Sequence, residues 1–293
     1  MSRLYEALRK SELESVRKGT TAVPASRTAG PELDLGSGPL ELETAQTERI
    51  RVSSESHLVA MTEPQSLAAE KFRVLVTRLG NLRTQRELKS VQITSGAAQE
   101  GKTIVAANLA VTLARHSQSR VLLVEGDLHR PSLLSLLGIH QAKGIRQWWS
   151  DVNAPLSNYV RRIDDLPLWI LPAGGICEQP AEILQSGRLA EQFTQVSGWF
   201  DWIIVDSTPL LPMADANIWN RLVDGTLLVV REGVAPIRVL KKGLESLDNA
   251  KLVGVVLNTA SEFDRVNYYD QHYAAGKPSR NGHSKTKASG DGA

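Results

Sequence analysis

Cysteine is almost missing, with Cys177 the single thiol in 293 residues. One cysteine excludes an internal disulfide framework and a multi-cysteine metal site, and it suits a reducing interior. Long apolar runs are missing as well. No stretch reaches the roughly 20 consecutive apolar residues that a bilayer-spanning helix needs, and the opening M-S-R-L-Y-E-A-L-R-K has no apolar signal core. A cytoplasmic protein is therefore expected. Neither sign of charge dominates: 34 Lys and Arg stand against 32 Asp and Glu, a net charge of +2. That balance argues against a nucleic-acid partner. Aromatics make up 5% of the chain, and the six histidines show no metal-ligand spacing.

What is present starts with a loop. Residues Gly96, Ala97, Ala98, Gln99, Glu100, Gly101, Lys102 and Thr103 fit G-x-x-x-x-G-K-[ST]. They follow the apolar run S-V-Q-I-T-S and precede T-I-V-A-A-N-L-A-V-T-L-A-R, which has helical spacing from Thr103 and Ile104 onward. Strand, loop and helix is the context that phosphate binding needs. Glycines let the backbone close round phosphates, and the helix offers its positive end to the anion. Lys102 is expected on the β- and γ-phosphates, and the Thr103 hydroxyl on Mg2+.

Along the chain, residues 1–18 read as a basic amphipathic helix, with Met1, Leu4, Tyr5 and Leu8 on one face. Its alternatives are a solvated helix on its own domain or a docking element. Residues 19–57 are rich in Thr, Ser, Pro, Gly and Glu and are expected to be a disordered linker. Residues 58–262 form the expected catalytic domain. It opens on a helix whose apolar stripe is Ala68, Phe72, Leu75, Leu79 and Leu82. Strands are expected at 120–127, 168–174, 201–206, 226–231 and 252–258. Helices are expected at 131–138, 181–198, 215–222 and 236–249. Continuous apolar strands alternating with helices predict an α/β fold, a doubly wound, mostly parallel sheet of the P-loop NTPase kind with helices on both faces. Residues 263–293 read as a flexible polar tail. Trp148 and Trp149 are expected to pack rather than stack on bases.

Phosphoryl chemistry also needs carboxylates at strand ends. Asp206 ends W-I-I-V-D, with Pro209 just beyond. Glu125 and Asp127 end V-L-L-V-E-G-D-L-H-R-P. Three of the five tyrosines, Tyr268, Tyr269 and Tyr273, lie within the tail.

With these residues in place, the chain resembles the bacterial tyrosine kinases of capsule and exopolysaccharide export. That family has a Walker A loop, a Walker A′ motif of the type D-x-D-x-R-x-P, a Walker B strand ending D-x-x-P and a C-terminal tyrosine cluster. The correspondences are Gly96 to Thr103; Glu125, Asp127 and Arg130 before Pro131; and Asp206 with Pro209. Asn258 resembles the family's adenine-contacting asparagine. Glu125 stands where the family has Asp, so Glu125→Asp is expected to keep or raise activity. In the E-x-x-R-x-x-R helix of the family, which mediates ring-shaped self-association, Glu70 and Arg73 match and Val76 replaces the last Arg.

The resemblance implies an ATP- and Mg2+-dependent protein tyrosine autokinase. Thr103, Asp127 and Asp206 would hold the metal, Glu125 or Asp127 would accept the proton, and Tyr268, Tyr269 and Tyr273 would accept phosphate. It further implies a homo-oligomer and a membrane-bound polysaccharide co-polymerase that activates the kinase and supplies its membrane contact. Two other classes compete. Positioning ATPases carry a second lysine after the first loop glycine, where Ala97 stands here. A nucleotide-binding scaffold of an export complex would turn over little ATP.

Overall fold

The computed structural model describes Leu42 and residues 45–53, 56–212 and 214–258. The expected N-terminal helix, most of the expected linker, and the tail with Tyr268, Tyr269 and Tyr273 lie outside the described residues.

An eight-stranded sheet carries the molecule. Its strands are β1 (Thr47–Glu48), β2 (Ser90–Ser95), β3 (Val121–Glu125), β4 (Arg161–Ile163), β5 (Leu168–Leu171), β6 (Trp202–Asp206), β7 (Gly225–Arg231) and β8 (Leu252–Asn258). They lie in the order β1-β4-β5-β3-β6-β2-β7-β8. From β5 to β8 every pairing is parallel, whereas β4 runs antiparallel to β5.

The helices are α1 (Val59–Thr62), α2 (Leu67–Arg83), α3 (Lys102–Ser117), α4 (Leu133–Leu136), α5 (Ile145–Ser150), α6 (Pro180–Gln185), α7 (Gly187–Ser197), α8 (Asp215–Leu222) and α9 (Ile237–Glu245). They cover both faces of the sheet. Val91, Ile93, Leu123 and Ile204 join the α1–α3 layer in one buried cluster. Leu122, Val124, Ile203 and Val205 point the other way and pack with α5–α8. Alternate residues of a strand face opposite sides, so burial on both sides demands the continuous apolar runs seen in the sequence.

Several expectations change. The segment 45–53, assigned to the disordered linker, instead lines the sheet edge: Thr47 and Glu48 pair with Arg162 and Ile163, and the Arg51 amide donates to the Leu137 carbonyl. Edge strands need only a partner's backbone, which composition does not reveal. The helix expected over 181–198 breaks at Ser186, which is extended; its Oγ accepts from the Leu189 amide and so caps α7. On α2 the buried positions are Ala69 and Leu79, while Ala68 is exposed. Val76 packs against the core, so the residue standing in place of the family's last Arg is spent on burial. Trp148 is fully buried, as expected, and Arg188 stacks 4.1 Å from its ring.

Candidate active site

In strand order, β3, β6 and β2 are neighbours, although β6 comes last of the three in the chain. Their carboxyl ends bring the three motifs to one crevice, the position where this sheet topology binds ligands. Glu125 and Asp206 are direct cross-strand partners, and Ile93 lies opposite Asp206 on the other side. The Gly126 amide donates to the Asp206 carbonyl at 2.7 Å, tying the second loop to the third strand.

The phosphate loop between β2 and α3 is held from inside. Glu100 is fully buried, and its carboxylate accepts from the Ala97 amide at 2.7 Å and the Arg231 amide at 3.3 Å. Gln99 and Gly101 have positive φ, 66° and 93°. Only glycine takes such a φ without strain, and a Cβ on Gly101 would run into the Asn258 side chain. Asn258 Nδ2 donates to the Glu100 carbonyl at 2.9 Å, so the residue expected at the adenine rests here on the phosphate loop. Gly96, Ala97 and Ala98 lead out of β2, and Thr103 and Ile104 continue the first turn of α3.

Lys102 Nζ lies 3.0 Å from Asp127 Oδ2, in a largely buried pair. The other Asp127 oxygen accepts from the Arg130 amide at 3.0 Å. Asp206 is buried at the next strand end, and its Oδ1 has no hydrogen-bond partner. Burial pushes its carboxyl up to about 7; Lys102 and Thr103 oppose that rise, and Asp127 and Glu125 add to it. A buried carboxylate oxygen without a partner is rare enough to call for an explanation.

Glu125 is brought to the same edge but has other work. Its Oε1 accepts from the Leu133 amide at 2.7 Å and its Oε2 from the Ala173 amide at 3.0 Å. Burial pushes its carboxyl up, while amides of Ala173, Leu133, Leu134 and Ser132 oppose the shift. Both oxygens are therefore taken by backbone, and Glu125 fastens the start of α4 to the loop after β5. Arg130, expected among the nucleotide-contacting residues, has an exposed side chain on the same loop. Counted from Glu125 and Asp127, the pattern D-x-D-x-R-x-P reaches His129, and Arg130 falls on the free position before Pro131.

Sequence reasoning missed the support beneath this loop. His129 Nε2 lies 2.9 Å from Asp215 Oδ2, a close polar contact without the alignment of a good hydrogen bond. Burial pushes the Asp215 carboxyl up and His129 pulls it back. Trp219 Nε1 donates to the Gly126 carbonyl at 3.1 Å, and a Cβ at Gly126 would meet the Trp219 ring and Val205. The signal available in sequence was the four-residue spacing of Asp215 and Trp219 on a predicted helix, which by itself looks like a helix-start acid and a core aromatic.

The donor set suits Mg2+: Thr103, Asp127 and Asp206 offer hard oxygens, and Asp206 has an oxygen without a partner. Among the described residues no cluster of three or more His, Cys, Asp or Glu could hold a metal. Mg2+ typically takes one or two carboxylates and completes its shell with water and phosphate.

Comparison with known proteins finds no matching family model. Tyrosine-protein kinase YwqD of Bacillus subtilis is 32% identical over 219 residues, 73% of this chain and 92% of the relative. Succinoglycan biosynthesis transport protein ExoP of Rhizobium meliloti is 31% identical, but the match covers 29% of that longer protein. The solved structure of the chimerical protein CapA2B2 superposes with a TM-score of 0.64 at 26% identity, covering 72% of this chain and 92% of that one. The cell division ATPase MinD of Pyrococcus furiosus shares the fold more distantly, with a TM-score of 0.51 at 25% identity and coverage of 60% and 74%. The likeness to YwqD, at 32% identity over most of both chains, shows the family, and this chain belongs to the bacterial tyrosine-protein kinases.

Proposed function

We propose that this protein transfers the γ-phosphoryl group of ATP to tyrosines of its own tail, Tyr268, Tyr269 and Tyr273, and thereby regulates polysaccharide export. The observation that carries the reading is the convergence of Lys102, Asp127 and the orphaned Asp206 oxygen at three neighbouring strand ends.

The loop amides and Lys102 hold the β- and γ-phosphates. Lys102 Nζ lies 3.0 Å from Asp127 Oδ2. Phosphate draws the ammonium away and leaves Asp127 Oδ2 free to accept the proton of the attacking phenol. The γ-phosphorus then bonds to the tyrosine oxygen as its bond to the β–γ bridging oxygen breaks, and ADP leaves. Thr103, Asp127 and Asp206 would hold Mg2+ together with the nucleotide, and the ion would supply charge neutralisation on the phosphate oxygens. Positioning and charge stabilisation supply most of the rate. Glu125 keeps the second loop in place.

Export supplies the wider setting. No helix among the described residues is long and apolar enough to cross a membrane, and ExoP is named for polysaccharide transport. We assign to this chain a membrane-bound co-polymerase partner that recruits it to the inner membrane face and activates it, and transfer between copies of the chain.

Mass spectrometry of the purified chain after incubation with Mg-ATP tests the reading. Phosphate on the tail tyrosines is expected. ATP hydrolysis without phosphotyrosine would make it a positioning ATPase, and neither product would make it a scaffold.

A further inference from the structure

We infer that α8 is a clamp that fixes the position of Asp127, with Asp215 acting through His129 and Trp219 through Gly126. The inference rests on the kinase reading of the crevice and deepens it.

Asp215 and Trp219 are four residues apart and so share one face of α8. That face meets the second loop at two points on either side of Asp127: Trp219 Nε1 on the Gly126 carbonyl at 3.1 Å, and Asp215 Oδ2 against His129 Nε2 at 2.9 Å. The close fit of the indole leaves no room for a side chain at residue 126. Asp127 is thus carried on a span whose two ends are both fixed by the same helix.

The helix is itself anchored to the other two motifs. Gln92, in the middle of β2, donates from Nε2 to the Ala216 carbonyl at 2.9 Å and to Ser207 Oγ at 2.7 Å, next to Asp206. Asn220 Nδ2 donates to Thr226 Oγ1 at 2.8 Å, and Thr226 Oγ1 donates to Gln92 Oε1 at 3.2 Å. All four of these side chains are buried. In a low-dielectric interior such a satisfied network permits little rearrangement. One helix therefore refers the Asp127 loop to the strand that ends in the phosphate loop and to the strand that ends in Asp206.

A plainer role exists for Asp215, an acid in the first turn that complements the helix dipole. That role needs no imidazole, yet the carboxylate faces His129. Asp215 and His129 are positioning residues: they govern where Asp127 sits when the tyrosine hydroxyl arrives, so transfer should suffer more than nucleotide binding.

The test uses the full chain as wild type, His129→Ala, Asp215→Asn, the double variant and His129→Arg. Phosphotyrosine formation gives kcat and KM for Mg-ATP, a fluorescent ATP analogue gives affinity, and thermal melting reports folding. We expect each single variant to lose about tenfold or more in kcat, with affinity within about twofold. The double variant should lose no more than the worse single one, because both changes remove one contact. His129→Arg, which keeps a nitrogen donor within reach of Asp215, should return to within about threefold of wild type. His129 is part exposed, so its variants remain informative should Asp215→Asn melt early. Unchanged kcat in His129→Ala, or losses that multiply in the double variant, would overturn the clamp. If the wild type hydrolyses ATP without forming phosphotyrosine, the kinase reading fails instead, and the same comparison made on ADP release decides the clamp.

Discussion

Lys102 Nζ lies 3.0 Å from Asp127 Oδ2, so the lysine proposed for phosphate and the carboxylate proposed for the tyrosine proton form one largely buried ion pair. Lys102→Ala should remove measurable ATP turnover, because no other lysine stands in the loop. It should also destabilise the nucleotide-free protein by roughly 1–3 kcal/mol, since Asp127 stays buried without its partner. Turnover assays and denaturant melts check both; a variant as active as wild type would remove Lys102 from the phosphate site.

Asp127→Asn should nearly abolish phosphotyrosine formation, since an amide neither accepts the proton nor carries charge beside the metal. Glu125→Asp is now expected to lower both stability and activity, the reverse of the family pattern's implication. One methylene less cannot span the Leu133 and Ala173 amides together, and losing one charged hydrogen bond costs about 1.5–3 kcal/mol. A melting temperature for Glu125→Asp equal to or above wild type would show that the two amides do not need the longer side chain.

Asp206 makes stability depend on pH. Burial raises its carboxyl from an ordinary 3.8 to about 7, so the folded protein keeps a proton that the unfolded chain releases above about pH 4. Its contribution is fully present below 3.8 and is lost as pH rises toward 7, a change on the order of a few kcal/mol. Asp206→Asn keeps the shape without the titration. Nucleotide-free wild type should therefore lose stability relative to Asp206→Asn between pH 4.5 and 8, and parallel melting curves would contradict the raised value.

Gly101→Ala should abolish nucleotide binding, since φ is 93° there and the added Cβ meets Asn258. Asn258→Ala alone should weaken binding by a smaller factor, through loss of its bond to the Glu100 carbonyl. Titration with a fluorescent ATP analogue ranks the two. Equal affinities for Gly101→Ala and wild type would mean the loop tolerates a left-handed alanine.

Transfer between copies can be read by mixing. A Lys102→Ala chain with an intact tail is combined with an active chain whose Tyr268, Tyr269 and Tyr273 are Phe. Phosphotyrosine on the Lys102→Ala chain is expected. Its absence, while wild type alone is labelled, would make transfer intramolecular.

The sequence by itself determined the strands β2, β3, β5, β6, β7 and β8, the phosphate loop and the strand-end acids, because burial on both faces demands unbroken apolar runs and phosphate demands glycines and a lysine at fixed spacing. Only the tertiary structure decided what each acid does. Glu125 and Asp127 are two residues apart in one motif, yet Glu125 is consumed by the amides of Leu133 and Ala173, while Asp127 faces Lys102. The packing of α8 makes His129 and Asp215 partners and fits Trp219 over Gly126. The edge pairing of β1 with β4 joins Thr47 and Glu48 to Arg162 and Ile163, and the two polar residues of β1 have no periodicity to announce a strand. Local patterns report which faces are buried along one element; which oxygen meets which donor depends on the order of strands and the packing of helices far apart in the chain.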